Sequence, residues 1–151
     1  MEETRVYYDE KSKNYEETFS ILYFRVFDAI PWKHLEPYLP TNPNALILDA
    51  GGGPGRYTIE LAKMGYDVIL FDYTPELLKF AKKKISYYKV KDKIKNIIEG
   101  SITDLSLFDD YHFDSVICLG GPLSHIKGES NRNKAVSELV RVTKKDAPIF
   151  I

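Results

Sequence analysis

The chain has 151 residues, of which 44% are hydrophobic and 28% charged, with a formal net charge of -1. That length suits one domain around one core, and the balanced charge excludes the basic surplus that marks nucleic-acid or anionic-membrane binders. A single cysteine, Cys118, rules out an internal disulfide, and with no apolar leader in Met1–Arg5 and no bilayer-length apolar run, a reducing cytoplasm and no membrane contact are expected.

Residues 1–15 are polar with interleaved Tyr7, Tyr8 and Tyr15. Phe19, Leu22, Tyr23, Val26, Phe27 and Ile30 then recur at the spacing of one face of an amphipathic helix. Pro31 is expected to stop it. Trp32, Leu35 and Leu39 suggest a short second helix, broken by Pro37 and ended by Pro40. Residues 1–44 therefore read as an N-terminal helical segment, with its stripe packed against the body of the fold.

From residue 45 to 151 strand and helix patterns alternate. Strands are expected over 45–50, 67–72, 94–99, 113–119 and 147–151. Helices are expected over 56–64, 75–88 and 131–144, with a short turn or helix in 102–110. Val68-Ile69-Leu70-Phe71 is a continuous apolar run, as a strand buried on both faces requires. Alternation of this kind predicts an α/β fold, a three-layer Rossmann-like sandwich on a mostly parallel sheet. Within it, Thr74 suits a helix N-cap, Pro75 the first helical position and Gly65 the end of the preceding helix. Tyr57, Leu61 and Met64 read as one helix face, with Ile59 and Ala62 beside them, and Leu77, Leu78, Ala81, Ile85 and Tyr88 as a buried face. Lys79, Lys82, Lys83 and Lys84 read as a solvated helix face, because no aromatic or arginine platform for a nucleic acid is interleaved with them. Cys118 lies in an apolar run and reads as a buried structural thiol.

The stretch that organises the chain is Leu46-Ile47-Leu48-Asp49-Ala50-Gly51-Gly52-Gly53-Pro54-Gly55-Arg56. It predicts a buried strand, a tight turn and a helix, with the turn at the carboxyl end of a strand, where open α/β sheets bind ligands. Glycines there accept positive φ and let the backbone come close to a ligand. A dinucleotide fingerprint would place its third small residue at position 56, which is arginine. Asp72 stands 21 residues after Gly51, at the end of the second strand. An acidic residue at that distance is the usual reader of ribose hydroxyls in this architecture, for nicotinamide and other adenosine cofactors alike. Tyr73 follows and can lie against an adenine face.

Leu48-Asp49-Ala50-Gly51-Gly52-Gly53-Pro54-Gly55 resembles the first motif of class I S-adenosylmethionine (SAM) methyltransferases, an acidic residue followed by G-x-G-x-G. Phe113-Asp114-Ser115-Val116 resembles the family's FD-x-V strand. Arg141-Val142-Thr143-Lys144-Lys145-Asp146-Ala147-Pro148 occupies the place of its RV-x-K-P-G-G turn, without the paired glycines. The resemblance spans about residues 45–151. It implies SAM as cofactor, with S-adenosylhomocysteine as product. It also implies that Asp49, Gly51, Gly52, Gly53 and Gly55 wrap the methionine end, that Asp72 holds the ribose and that Tyr73 lies near the adenine. Asp104 matches the family's acceptor for the adenine amino group, with Ile102 packed on the ring, and Leu119 closes the site at the end of the fourth strand. Small-molecule methyltransferases often fold an N-terminal lid over the cofactor, a role this resemblance offers to Tyr8 and Tyr15. The loop Gly120-Gly121-Pro122-Leu123-Ser124-His125 follows the fourth strand, and His125 is its best-placed titratable group for taking a proton from the acceptor. A histidine there also suits a structural or substrate-contact role. No metal site is expected.

The implied function is methyl transfer from SAM to a small molecule, with no nucleic acid partner. The Asn-Pro-Pro-Tyr motif of nucleic-acid amino-methyltransferases is missing from the sequence. The alternatives are a nicotinamide oxidoreductase and a SAM-binding module without catalysis. Relatives usually continue past the fifth strand, so a sheet truncated there is expected, with Ile149-Phe150-Ile151 on an open edge that invites a homodimer.

Overall fold

The structure, a computed structural model, describes residues 6–7 and 22–151. Among them a five-stranded sheet runs in the order β3-β2-β1-β4-β5. The strands are β1 Leu46–Ala50, β2 Asp67–Asp72, β3 Ile94–Glu99, β4 Ser115–Ile117 and β5 Ile149–Phe150. All four pairings are parallel. The helices are α1 Leu22–Leu35, α2 Arg56–Lys63, α3 Pro75–Tyr87 and α4 Glu129–Val142. This is the α/β Rossmann-like layering the sequence predicts.

The two-residue period of the strands divides the core. Leu48, Ala50, Ile69, Phe71, Val116 and Cys118 face one way, onto Ala135, Leu139 and Val142 of α4. Ile47, Val68 and Ile117 face the other way, onto Leu35 of α1 and Leu61 of α2. Leu70 meets Ile59, Leu78, Ala81 and Ile85 from α2 and α3. Phe71, Leu48, Ile47 and Leu70 are fully buried. β3 lies at one edge and is half-exposed along its length, with a register shift where it meets Val68 and Ile69.

Several local expectations change. Pro31 does not stop the first helix: α1 continues to Leu35, followed by a 3₁₀ turn at Glu36–Tyr38. A proline removes one helical N–H, and the segment beyond it is held by tertiary packing, because Leu35 is buried and the Trp32 ring stacks on Tyr57 at 6.0 Å. Phe19 lies outside the described residues. Thr74 occupies the N-cap of α3, yet its side chain makes no capping bond. Its hydroxyl and N–H both serve Asp72 instead. Tyr88 is exposed rather than buried, and Met64 is exposed too, since each follows the last residue of its helix.

β4 is shorter than 113–119. Phe113 bridges Thr143, and Asp114 accepts the Leu46 N–H at 2.8 Å and the Lys144 ammonium at 2.6 Å. Residues 102–110 form turns rather than a helix, with Ile102, Leu105 and Phe108 buried in the α4-side core. Arg141 fastens them. Its guanidinium donates to the carbonyls of Phe108 at 2.9 Å and Leu105 at 3.0 Å, and pairs with Glu138 and Asp110. Glu138 in turn accepts the Leu105 N–H. The sequence reading missed this clamp, whose partners Phe108, Asp110 and Leu105 stand 31 to 36 residues from Arg141.

Candidate active site at the glycine turn

The parallel sheet brings the ends of β1, β2, β3 and β4 to one rim. At its centre, Gly51 and Gly52 both donate to the Phe71 carbonyl, at 2.7 and 3.3 Å. Gly51, Gly53 and Gly55 have φ of +76, +51 and +75, a region that glycine enters without a Cβ penalty. The reasons for glycine differ along the turn. A Cβ on Gly51 would strike the Pro122 ring at 2.5 Å, and one on Gly52 would strike the Asp49 carboxylate at 2.5 Å. A Cβ on Gly53 would meet only Leu77 at 3.5 Å and Asp72 at 3.9 Å, so room remains above that residue.

Two buried carboxylates brace the turn. Asp49, 1% exposed, accepts the Thr58 N–H at 2.9 Å and the Thr58 hydroxyl at 2.6 Å through Oδ2. Burial pushes its carboxyl up to about 6, against the pull of those hydrogen bonds. Asp72, 7% exposed, accepts the Gly53 N–H through Oδ2 at 2.8 Å and the Thr74 N–H through Oδ1 at 2.7 Å. Burial raises it too, and the bonds from Thr74 and Gly53 oppose that. A carboxylate offers about four acceptor positions, so Asp72 keeps capacity for a further donor such as a ribose hydroxyl.

The expected site residues divide clearly. Asp49, Gly51, Gly52, Gly53, Gly55 and Asp72 come together around the turn: Gly53 donates to Asp72, Gly51 and Gly52 to the Phe71 carbonyl, Gly55 to the Gly52 carbonyl, and Asp49 accepts from Thr58. Tyr73 follows Asp72, half-buried. Gly100 donates to the Asp72 carbonyl at 2.9 Å, which joins the end of β3 to this unit. Ile102 is buried in the core. Asp104 is exposed, and its carboxylate accepts from the Ser106 hydroxyl and N–H, which holds it below the usual carboxylate range. Leu119 is half-buried and packs against the core cluster that holds Ile47, Leu61 and Ile117. His125 ends a 3₁₀ turn, Pro122–His125, and is exposed. Tyr8 and Tyr15 lie outside the described residues.

Pro122, Thr58 and Gly100 were not singled out from sequence. Pro122 packs on Gly51, and Thr58 answers Asp49. A Cβ on Gly100 would lie 2.3 Å from the Phe71 ring. Only Gly100 carried a signal, as the glycine directly after a strand. Among the described residues no group of histidine, cysteine, aspartate or glutamate could hold a metal.

A family described as "Methyltransferase domain" matches residues 47–146, two-thirds of the chain. The chain belongs to the class I SAM-dependent methyltransferases. Among its relatives is a glycine/sarcosine N-methyltransferase of Aphanothece halophytica, 30% identical over 105 residues, which are 70% of this chain and 38% of that protein. A tRNA 5-carboxymethoxyuridine methyltransferase of Escherichia coli is 37% identical over 71 residues, 46% of this chain and 27% of that one. The chain thus spans about a third of the length of these curated relatives. A solved TehB-like SAM-dependent methyltransferase from Corynebacterium glutamicum superposes with a TM-score of 0.69 at 25% identity, covering 93% of this chain and 72% of that one. A protein from Methanococcus maripaludis, titled a putative SAM-dependent methyltransferase, shares the fold with a TM-score of 0.76 at 22% identity, over 93% of this chain and 62% of that one. The family match does not support the nicotinamide reading. The glycine turn, with two buried carboxylates beside it, suits a cofactor that is cationic at sulfur and carries a ribose.

Proposed function

We propose that this methyltransferase transfers a methyl group from SAM to a small-molecule acceptor that carries an amine. The observation that carries the reading is the turn itself, three positive-φ glycines of which Gly53 donates to buried Asp72, with buried Asp49 beside them holding Thr58 of α2. The similarity to glycine/sarcosine N-methyltransferases supports the acceptor class. Bound SAM would supply an electrophilic methyl on a sulfonium. The chain's own residues then do three things. The glycine turn fixes the methionine end, Asp72 takes a ribose hydroxyl, and the loop after β4 faces the acceptor. Aligning donor and acceptor in this way is the main source of rate in an in-line displacement. His125 is the proposed recipient of the acceptor's proton, Asp104 and Ile102 the proposed adenine contacts, and Tyr8 and Tyr15 the proposed lid.

A second reading, methyl transfer to an RNA base, draws support from the tRNA-modifying relative. Its acceptor would need a basic surface, and the lysines of α3 are partly neutralised, Lys79 by Glu76. Incubation with methyl-labelled SAM and a panel of small amines, with bulk tRNA in parallel, tests both. Label in glycine or another small amine supports the first, and label in tRNA alone overturns it.

Residues 45–151 are proposed to form the cofactor-binding domain and the preceding segment a cover. A cytoplasmic setting is proposed from the buried, unpaired Cys118; among the described residues no helix is long and apolar enough to cross a membrane. Homodimerisation through the β5 edge is also proposed. There Ile151 is 59% exposed, beside a groove of about 400 Å³ lined by Pro31, His34, Tyr38, Leu119 and Phe150. A monomer by light scattering at high concentration would refute it.

A further inference from the structure

The net charge of -1 conceals a strong segregation of charge. Residues 79–95 hold eight lysines and one acidic residue, Asp92, a surplus of seven positive charges. The rest of the chain carries 13 basic against 21 acidic residues. Such asymmetry between segments marks a polyanion partner, which the total alone does not reveal. The structure folds this segment into one surface: the outer side of α3, the 3₁₀ turn Lys91–Lys93 and the start of the edge strand β3. Lys63, the last residue of α2, joins it. The start of β3 and the ends of α2 and α3 lie at the amino ends of the strands, at the opposite end of the sheet from the glycine turn.

Part of the charge serves the fold. Lys79 pairs with Glu76, and Lys93 and Lys95 share Asp67. Lys82, Lys89 and Lys91 are exposed and make no ion pair among the described residues. Lys89 is the most informative of them. α3 ends in a Schellman turn, in which the Lys89 N–H donates to the Ser86 carbonyl and the Val90 N–H to the Ile85 carbonyl, both at 3.2 Å. The residue that closes such a turn takes positive φ and is usually glycine. Here it is lysine, with φ of +58, which strains the backbone. Its ammonium has no acidic partner among the described residues that would offset the strain.

From sequence the lysine run of α3 lacks an interleaved aromatic platform, and the structure supplies one. Tyr88 is exposed instead of lying in the core, and Tyr87 beside it is 79% exposed. Their rings stand 5.1 Å apart and nearly perpendicular, and the Lys63 ammonium lies 4.4 Å from the Tyr88 centroid. The pair is braced in this way, and Tyr87 is presented to solvent among cations.

We propose that this surface binds single-stranded nucleic acid, with Tyr87 stacking on a base and Lys82, Lys89 and Lys91 meeting phosphates. A single strand fits because its bases are free to stack and every base has a π-face. An acidic protein would pair with the lysines and leave the Tyr87 ring unused. The inference goes beyond the methyl-transfer reading and is independent of which acceptor is methylated.

Fluorescence anisotropy with labelled oligouridylate and oligothymidylate, in the absence of SAM, tests it. Wild type should bind both more tightly than a duplex of the same length, with affinity that falls steeply as salt rises. Tyr87→Ala should weaken binding at least about fivefold at an unchanged salt slope, and Tyr87→Phe should keep it. Lys89→Gly relieves the strained turn, so it should raise the melting temperature and still lower affinity, with a log–log salt slope shallower by about 0.7. A folding defect cannot produce that combination. The inference is overturned if neither oligonucleotide binds at physiological salt, if Tyr87→Ala binds as wild type does, or if Lys89→Gly leaves affinity unchanged. Tighter binding of a polyglutamate peptide, or of phosphatidylserine vesicles, than of either oligonucleotide also overturns it, in favour of an acidic protein or a membrane. Failure here leaves the methyl-transfer reading standing, since the cofactor takes no part in the assay.

Discussion

Replacing Asp49 with asparagine should stabilise the protein at neutral pH, and by more as the pH rises. The carboxyl titrates from an ordinary value of 3.8 in the unfolded chain and about 6 in the folded one, because burial penalises the charge. Between those values the folded state holds more protons than the unfolded state, so stability must fall as pH increases across that window. Asparagine mimics the protonated group. Its carbonyl can still accept from the Thr58 N–H and hydroxyl, and it has no charge to bury. Integrating the two titrations puts the stability difference between variant and wild type about 2 kcal/mol larger at pH 7.5 than at pH 4.5. Urea unfolding at both pH values measures this. Taking the difference between two proteins cancels the carboxyls that do not interact with Asp49, including Asp104 and Asp114, whose shifts run the opposite way. A constant difference across the range, or one that shrinks, would refute the claim that burial dominates at Asp49.

Asp72→Ala should leave the N–H groups of Gly53 and Thr74 without their acceptor. At about 1–3 kcal/mol for each buried orphan, the loss is a large share of an ordinary folding free energy, and SAM affinity should fall at least tenfold; urea unfolding with calorimetry reads both. Gly51→Ala should cost more than Gly53→Ala, because both positions have positive φ but only the Gly51 Cβ would clash, with Pro122 at 2.5 Å, whereas the Gly53 Cβ meets Leu77 at an ordinary 3.5 Å, and melting temperatures of the two variants would rank them. Cys118 should resist a thiol reagent in the native protein and react after unfolding, since burial pushes its thiol up to about 12. Arg141→Ala should loosen residues 105–110 and expose their amides to hydrogen exchange, because one guanidinium holds the Leu105 and Phe108 carbonyls.

The sheet and its order of helices were legible because their signals are local and periodic. Val68 to Phe71 could hardly be anything but a buried strand, and Gly51 to Gly55 could hardly be anything but a turn. The glycine turn and Asp72 were legible as a pair because the distance between them matches one βαβ crossover. What was not legible depended on contacts far apart in the chain. Pro31 reads as a stop on local rules, and only the packing of Trp32 and Leu35 keeps the helix going. Asp72 reads as a ligand contact, whereas its first partners are Gly53 and Thr74, which it uses to build the turn. The glycines read alike in sequence, yet Gly53 has room above it while Pro122, distant in sequence, takes the space beside Gly51.

The central claim is that the glycine turn and Asp72 bind an S-adenosyl cofactor, and titration calorimetry with S-adenosylhomocysteine and NAD in parallel tests it most directly. The account predicts saturable one-to-one binding of S-adenosylhomocysteine, lost in Asp72→Ala under conditions where that variant is folded, and no binding of NAD. Binding of NAD instead, or affinity for S-adenosylhomocysteine that is unchanged in a folded Asp72→Ala, would contradict it.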